Sequence, residues 1–491
     1  MKHLSKITCI VLLSALALSC EKKPSAEELE EQRIAALIEA DEDYDAKVYL
    51  REEYMDVYYY WYKDVKQRNA ALKPYESEDI SSWFDSLLYD EDRWSWMEDA
   101  ESYLEYESGS ISGTWGISIT QPVDYYNDYG IYVAYIFPGS PLEKYGVTRG
   151  AQLRAIGDCE IGDSIDSQEK LDAVNNHFYD SPNKFTFRLT DGSDVTFTAS
   201  LATSMSTNYI LGSEIFGPED FPGLKEKVGY FHLLSFQELS VADMDTAFKE
   251  FKKQGVKKLI LDLRYNGGGS STVSDTLASY IAPKEAQGKT YVTRTHNDIL
   301  KAYNSSQVIK ENVSNLDPDA IYFIMQGGSA SASEMIYNGM RPYFGGDIHL
   351  VGQQTYGKPN GMYVLFYPGD DNDYEKYEKG DFNSLKYVFY PICFYNKNSE
   401  GESIPSTAEA GSGFVPENER PDDVYHDFGV EESDIKACLT HIATGSYPAV
   451  EGGRAVKGSG EGFVSDFAVG KELKDPHYGK YSVSLPKTLR Q

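Results

Sequence analysis

Three serines alternate with alanine in "GGSASASEM", residues 327–335, and one lysine stands in "VGQQTYGKPNG", residues 351–361. Serine is a nucleophile only when a base takes its proton. At the start of a helix it gains two aids: free N–H groups and a dipole that favours an oxyanion. A lysine serves as that base if burial lowers its pKa from about 10.4 toward neutrality. Ser331 with Lys358 is therefore a candidate acyl-transfer pair. Ser331 and Glu334 also have the spacing of a capping box, so a plain helix start is the competing reading. A lysine in a turn is usually a solvated charge. What raises Lys358 is its place one short strand after the serines. His232 and His349 lie on or near strand-like runs and read as packed or exposed histidines.

A second segment has the same form, a buried strand running into glycines and then a helix. It is "LILDLRYNGGGSSTVSDTLASYI", residues 259–281. Glycines at such a turn let backbone N–H groups face a ligand without side chains in the way. A tight turn capped by Ser270 or Ser271 is the plainer alternative.

These turns need a scaffold, and the rest of the chain supplies three textures. Residues 25 to about 105 read as helical: Ser25 caps a first stretch, Pro74 breaks it, and "SSWFDSLLYDEDRWSWMEDAESYLEY" follows as a second. From Gly109, short β-type runs alternate with Gly/Pro turns, with a helix near residues 167–178 and a hairpin signal at Asp191-Gly192. From about residue 206 the pattern is α/β. A strand "KVGYFHLLSF" precedes a helix "SVADMDTAFKEFKKQG", capped by Ser240 and ended by Gly255, with Val241, Met244, Phe248 and Phe251 on one face. Strands alternating with helices imply a largely parallel sheet. "DDNDYEKYEKGDFNS" reads as a polar surface insertion, and the Gly-rich stretch after about residue 448 as linker-like.

The chain has 491 residues and a net charge of −31. Its length predicts several domains. Its charge argues against nucleic acid or an anionic lipid surface as partner. "MKHLSKITCIVLLSALALSC" has the charged, apolar and small-residue order of a secretory signal, too short to span a bilayer as a mature helix. Its last residue, Cys20, resembles the lipidated cysteine of a bacterial lipobox, ahead of a tether-like acidic stretch. The expectation is a membrane-anchored lipoprotein of the bacterial cell envelope. An ordinary signal peptide with a chance cysteine is the alternative. Cys159, Cys393 and Cys438 are scattered, giving neither a disulfide framework nor a metal spacing, so no metal or cofactor is expected.

"DLRYNGGG", "GGSASASEM" and "TYGK", in that order after a small β region, resemble the carboxy-terminal processing (tail-specific) serine protease family. The likeness runs over about residues 85–445. It implies a multidomain α/β protein with a ClpP/crotonase-like catalytic core, a PDZ-like β domain and a helical lead-in. On that resemblance the organisation is 1–20 signal peptide, 21–108 tether and helical domain, 109–205 PDZ-like domain, 206–447 protease core and 448–491 tail. By motif position the resemblance makes Ser331 the nucleophile and Lys358 the base. It makes the N–H groups of Ala332 and Gly268 the oxyanion hole. It puts Trp115, Gly116 and Ile117 at the loop where a PDZ domain takes a peptide C-terminus as an added strand, with a core aromatic as the competing reading for Trp115. The implied activity is peptide-bond cleavage in protein substrates through an acyl-enzyme. One departure stands out: the family commonly has a glutamine four residues after the lysine, and here that residue is Met362, with Gln353, Gln354 and Asn360 nearby. This motivates the alternative of a catalytically inactive peptide- or ligand-binding protein on the same scaffold.

Overall fold

The apolar runs Val228–Leu233, Lys258–Asp262, Ala320–Met325 and Ile348–Gly352 lie side by side in parallel, as strands buried on both faces do. Ile210–Phe216 adds antiparallel at one edge and Asn418–Glu419 parallel at the other, completing six strands. The computed structural model describes residues 25–450 and 481–484, apart from 62–63, 121–127, 129, 166, 208, 368–375, 377–378 and 408–410. The signal segment, Cys20, and most of the polar insertion and of the tail fall outside the described residues.

Side chains alternate across this sheet. Phe231, Leu259, Leu261, Ile321 and Phe323 meet the helices Val241–Lys253, Ser271–Ile281 and Ala332–Phe344 on one face. Tyr230, Ile260, Tyr322 and Ile324 meet the helix Ser433–Thr444 on the other. The helix Val241–Lys253 buries Met244, Phe248 and Phe251 as expected. Its Ser240 departs from expectation, because the hydroxyl donates to the Gln237 carbonyl instead of capping the first turn.

A second, antiparallel sheet runs in the order Trp96–Asp99, Tyr387–Tyr390, Asn360–Tyr367, Ile392–Lys397, Thr290–His296, Ser305–Val308. The N-terminal helices pack on it. Leu50, Tyr58, Trp83, Phe84 and Leu87 share one apolar core with Phe389, Ile392 and the helices of the central sheet. The expected second helical stretch is corrected here. Ile80–Leu87 and Ala100–Glu107 are helices, but Trp96–Asp99 between them is an edge strand against Tyr387–Tyr390. Trp96 stacks on Tyr390 with centroids 4.1 Å apart, a long-range contact that overrides local helical spacing.

The third sheet, Ile117–Thr120, Ile131–Ile136, Gln152–Ile156, Asn183–Arg188, Asp194–Ala199, has its own core and packs with the helix Gln168–His177. The hairpin at Asp191-Gly192 forms as expected, with Gly192 at φ +84°.

Candidate active site

Adjacent parallel strands end at Asp262 and Met325, and the two Gly-rich turns leave from those ends, so the topology alone makes them neighbours. Asn266 ties them together. Its side chain donates to the Leu233 carbonyl at 2.8 Å and accepts the Gly268 N–H at 2.9 Å. Its carbonyl accepts the Ala330 N–H at 3.2 Å and the Ser333 hydroxyl at 2.9 Å.

The three serines have different fates. Ser329 donates its hydroxyl to the Leu263 carbonyl at 2.7 Å and accepts the Gln326 N–H at 2.9 Å. Ser333 is spent on Asn266. The Ser331 hydroxyl is buried and has no hydrogen-bond partner. Ser331 is also one of three described non-glycine residues with positive φ, at φ 56° and ψ −109°. Such strain persists only where surrounding bonds hold it. Here the Ser331 N–H donates to the Glu334 carboxylate at 3.0 Å, and its carbonyl accepts the Met335 N–H at 2.8 Å. The expected capping box is thus present, with the Ser331 hydroxyl placed toward the Glu334 N–H but making no full hydrogen bond to it.

Glu334 is the residue that motif reading assigned only to a cap. Its buried carboxylate takes four donors. One oxygen accepts the Thr355 hydroxyl and the Gly357 N–H at 2.7 Å; the other accepts the N–H groups of Ser331 and Lys358, the latter at 2.9 Å. One carboxylate therefore fixes the backbones of Ser331 and Lys358 to each other. Burial pushes its pKa up, against these donors, which favour the charged form. Gly413 packs onto the same group, and a Cβ there would overlap the Thr355 hydroxyl and the Glu334 carboxylate.

Lys358 is 1% exposed, and burial brings its pKa down from 10.5 to about 7, against the nearby charges of Asp92 and Glu334. The described contact of its Nζ is the Met362 sulfur at 3.8 Å, a weak acceptor. Asp92 comes from the N-terminal region, held by the Tyr58 hydroxyl at 2.7 Å and by the Trp94 and Ser95 amides.

Of the expected oxyanion donors, Ala332 N–H belongs to the first turn of its helix, whose amides have no intrahelical acceptor. Gly268 N–H is committed to Asn266 and is presented to a substrate oxygen only if that bond yields. His232 is buried between the Tyr230 hydroxyl and the Arg264 carbonyl, and burial takes it down to about 4. His349 bonds Glu417 and stacks on Tyr322. Both are structural.

The glycine turn is braced from behind. Arg264, fully buried, bonds Asp262 at 2.6 Å and Glu432 at 2.6 Å, and Glu432 caps the helix Ser433–Thr444. Arg149 of the third sheet's unit reaches the Tyr265 hydroxyl at 2.8 Å and Asp422 at 3.0 Å. Sequence reading named none of these, since their partners are far apart in the chain.

At the loop before the strand Ile117–Thr120, the Trp115 ring takes the core position of its two readings. The ring lies in the core of the third sheet's unit, edge-on to Phe185, with its N–H on the Phe178 carbonyl at 2.9 Å. Ile117 is buried beside it, and the Gly116 N–H is taken by the Thr114 hydroxyl at 2.8 Å. The strand Ile117–Thr120 is nevertheless the terminal strand of its sheet among the described residues.

Residues 227–376 match the sequence profile of Peptidase family S41. A "Probable CtpA-like serine protease" of Staphylococcus aureus strain COL is 30% identical over 134 residues, 27% of this chain and 25% of that protein. Its counterpart in Staphylococcus saprophyticus is 28% identical over 131 residues, again 27% and 25%. The matching segment spans about a quarter of the length of these curated relatives. A crystal structure from Bacteroides fragilis NCTC 9343, named for the S41 proteases, shares the fold at a TM-score of 0.59 and 19% identity, over 80% of this chain and 96% of that one. The segment that holds both Gly-rich turns, Ser331 and Lys358 is a peptidase family S41 domain, the family of C-terminal processing proteases.

Proposed function

We propose that the protein is a serine endopeptidase that cleaves protein substrates with a Ser331–Lys358 dyad. The observation that carries this reading is the unequal fate of the serines: Ser329 and Ser333 are tied to backbone carbonyls, while Ser331 is buried, strained and uncommitted. Lys358, largely neutral above pH 7, takes the Ser331 proton as Oγ attacks the substrate carbonyl. The new oxyanion is received by the Ala332 N–H, and by the Gly268 N–H as it turns from Asn266. Each such donor is worth about 3–4 kcal/mol of barrier. Lys358 then protonates the leaving amine, and water attacking the acyl-enzyme releases the acid.

The wider reading is part of the same proposal. The core is of the ClpP/crotonase type. Residues 109–205 are a PDZ-like domain that takes substrate C-termini along the edge strand Ile117–Thr120, with the Trp115 ring as core rather than as contact. Cys20 carries a lipid that holds the protein in the cell envelope, and nucleic acid is no partner.

A second reading, a binding protein without turnover, is favoured by one observation, the Met362 sulfur at 3.8 Å where a stronger acceptor would orient the lysine. The two separate in one experiment: casein incubated with the chain lacking residues 1–20, beside Ser331→Ala. Cleavage by the first protein alone supports the protease. No cleavage from pH 6 to 10 supports the binder.

A further inference from the structure

The Asp92 carboxylate takes four donors: the Tyr58 hydroxyl at 2.7 Å, the Ser95 hydroxyl at 2.6 Å, and the N–H groups of Trp94 and Ser95 at 2.9 and 3.1 Å. The Ser95 hydroxyl in turn accepts the Ile392 N–H at 2.9 Å, and the Tyr59 N–H donates to the Ile392 carbonyl at 2.8 Å. The N-terminal region thus holds Ile392 at both of its backbone groups. Ile392 is the register partner of Met362, whose sulfur lies 3.8 Å from the Lys358 Nζ. A continuous chain of contacts therefore runs from the Asp92 carboxylate to the lysine head group. Two fully buried groups of this corner feel the Asp92 charge. Burial draws the Lys358 amine down, and Asp92 opposes it ahead of Glu334. Burial pushes the Cys393 thiol up, and Asp92 acts in the same direction.

A lysine base ends its first step as an ammonium. The proton leaves the Ser331 Oγ for the Lys358 Nζ, Oγ bonds to the substrate carbonyl carbon, and the carbonyl electron pair moves to oxygen. A buried ammonium is costly without an opposite charge near it. The Met362 sulfur carries none. Glu334 has both oxygens committed to the donors that join the Ser331 and Lys358 backbones, and burial pushes it toward its neutral form. Asp92 is only half-buried, so water shares the cost of its charge. We propose that Asp92 is a positioning residue of the acyl-transfer site, the counter-charge that the N-terminal region brings to the ammonium Lys358 becomes on taking the Ser331 proton. This deepens the protease reading above and rests on it for the reaction, but not for the coupling of the two side chains. The titratable groups at this corner are Asp92 and Tyr58 from the N-terminal region, Glu334 from the helix Ala332–Phe344, and Cys393 from the strand Ile392–Lys397. The two carboxylates among them set the sign of the effect on Lys358, and both hold its proton on.

The test is the titration of Lys358 in the Ser331→Ala chain, followed by the ε-carbon NMR resonance that titrates at about 7 and is lost in Lys358→Met. Asp92→Asn removes the charge and keeps the shape; Asp92→Ser replaces it should the asparagine fold poorly. In either, the midpoint is expected to fall by about 0.5–1 pH unit. Tyr58→Phe removes one donor from Asp92 and leaves the charge, so its midpoint is expected not to fall, whatever stability it loses. With Ser331 restored, Asp92→Asn is expected to move the pH limb of kcat/KM for casein down by the same interval. It should lower kcat at pH 9 about three- to tenfold at unchanged KM, because the base is weaker. An unmoved midpoint in the Asp92 variants, or an equal fall in Tyr58→Phe, would overturn the proposal. A fall confined to the Asp92 variants, without casein cleavage by any form, would uphold the coupling of Asp92 to Lys358 and overturn the protease reading instead.

Discussion

The Lys358 Nζ lies 3.8 Å from the Met362 sulfur, inside a site where burial has already brought the amine down to about 7. The lysine is thus poised by desolvation and held at its head group by a weak acceptor. Its backbone, by contrast, is fixed through Glu334 to the backbone of Ser331.

Met362→Gln is expected to give the lysine a carbonyl acceptor of similar size. A bond to the ammonium favours the charged form, so the pH limb of kcat/KM should move upward. Better orientation should raise kcat at pH 9 about three- to tenfold. A pH–rate profile of both proteins measures this, and an unmoved limb would mean that the introduced amide does not reach Nζ.

The proton balance of Lys358 sets two pH effects with definite signs. As a base it must be neutral, so kcat/KM should rise about tenfold per pH unit below about pH 7 and level above it. For stability, the folded pKa lies below the unfolded one. Between about 7 and 10.5 the unfolded chain binds the extra proton, so this group's contribution to stability rises with pH across that window and is least favourable below it. Lys358→Met should therefore abolish activity and raise Tm, more at pH 7 than at pH 10. Thermal melts at the two pH values check the sign.

The serines separate by what each mutation costs. Ser331→Ala should lower turnover by at least a thousandfold with Tm unchanged, since its hydroxyl holds nothing. Ser329→Ala leaves the buried Gln326 N–H without its acceptor and should cost about 1–3 kcal/mol of stability, with kcat within a few-fold. Casein turnover and urea melts on the same preparations give both axes. Loss of activity in Ser333→Ala but not in Ser331→Ala would move the nucleophile.

Glu334→Gln replaces one carboxylate oxygen by an NH2 group that must face donors. Activity should fall at least a hundredfold and stability by about 2–4 kcal/mol. Gly413→Ala, outside every motif, should do the same in milder form, because its methyl group displaces the Thr355 hydroxyl and the Glu334 carboxylate. Normal kinetics in the Gly413 variant would show that this cluster does not couple the two backbones.

Much of the catalytic frame was legible in the chain because it is local. A buried apolar run, glycines, and a helix after them are contiguous, and parallel strands carry both Gly-rich turns to the same edge of the sheet. Period-3.6 apolar residues placed Met244, Phe248 and Phe251 on the buried face. The reading failed where distant partners outweighed local pattern. Trp96 left its helical spacing to stack on Tyr390.

By itself the sequence determined the order of strand, glycine turn and helix, and the pairing of a serine run with a later lysine, because these follow from backbone freedom and hydrophobic period. Which serine stays uncommitted, how far burial neutralises Lys358, and that Glu334 binds both backbones were decided only in the tertiary structure. Each depends on groups tens to hundreds of residues apart, and their desolvation and hydrogen bonds exist only once the turns, the N-terminal region and Gly413 have closed around them.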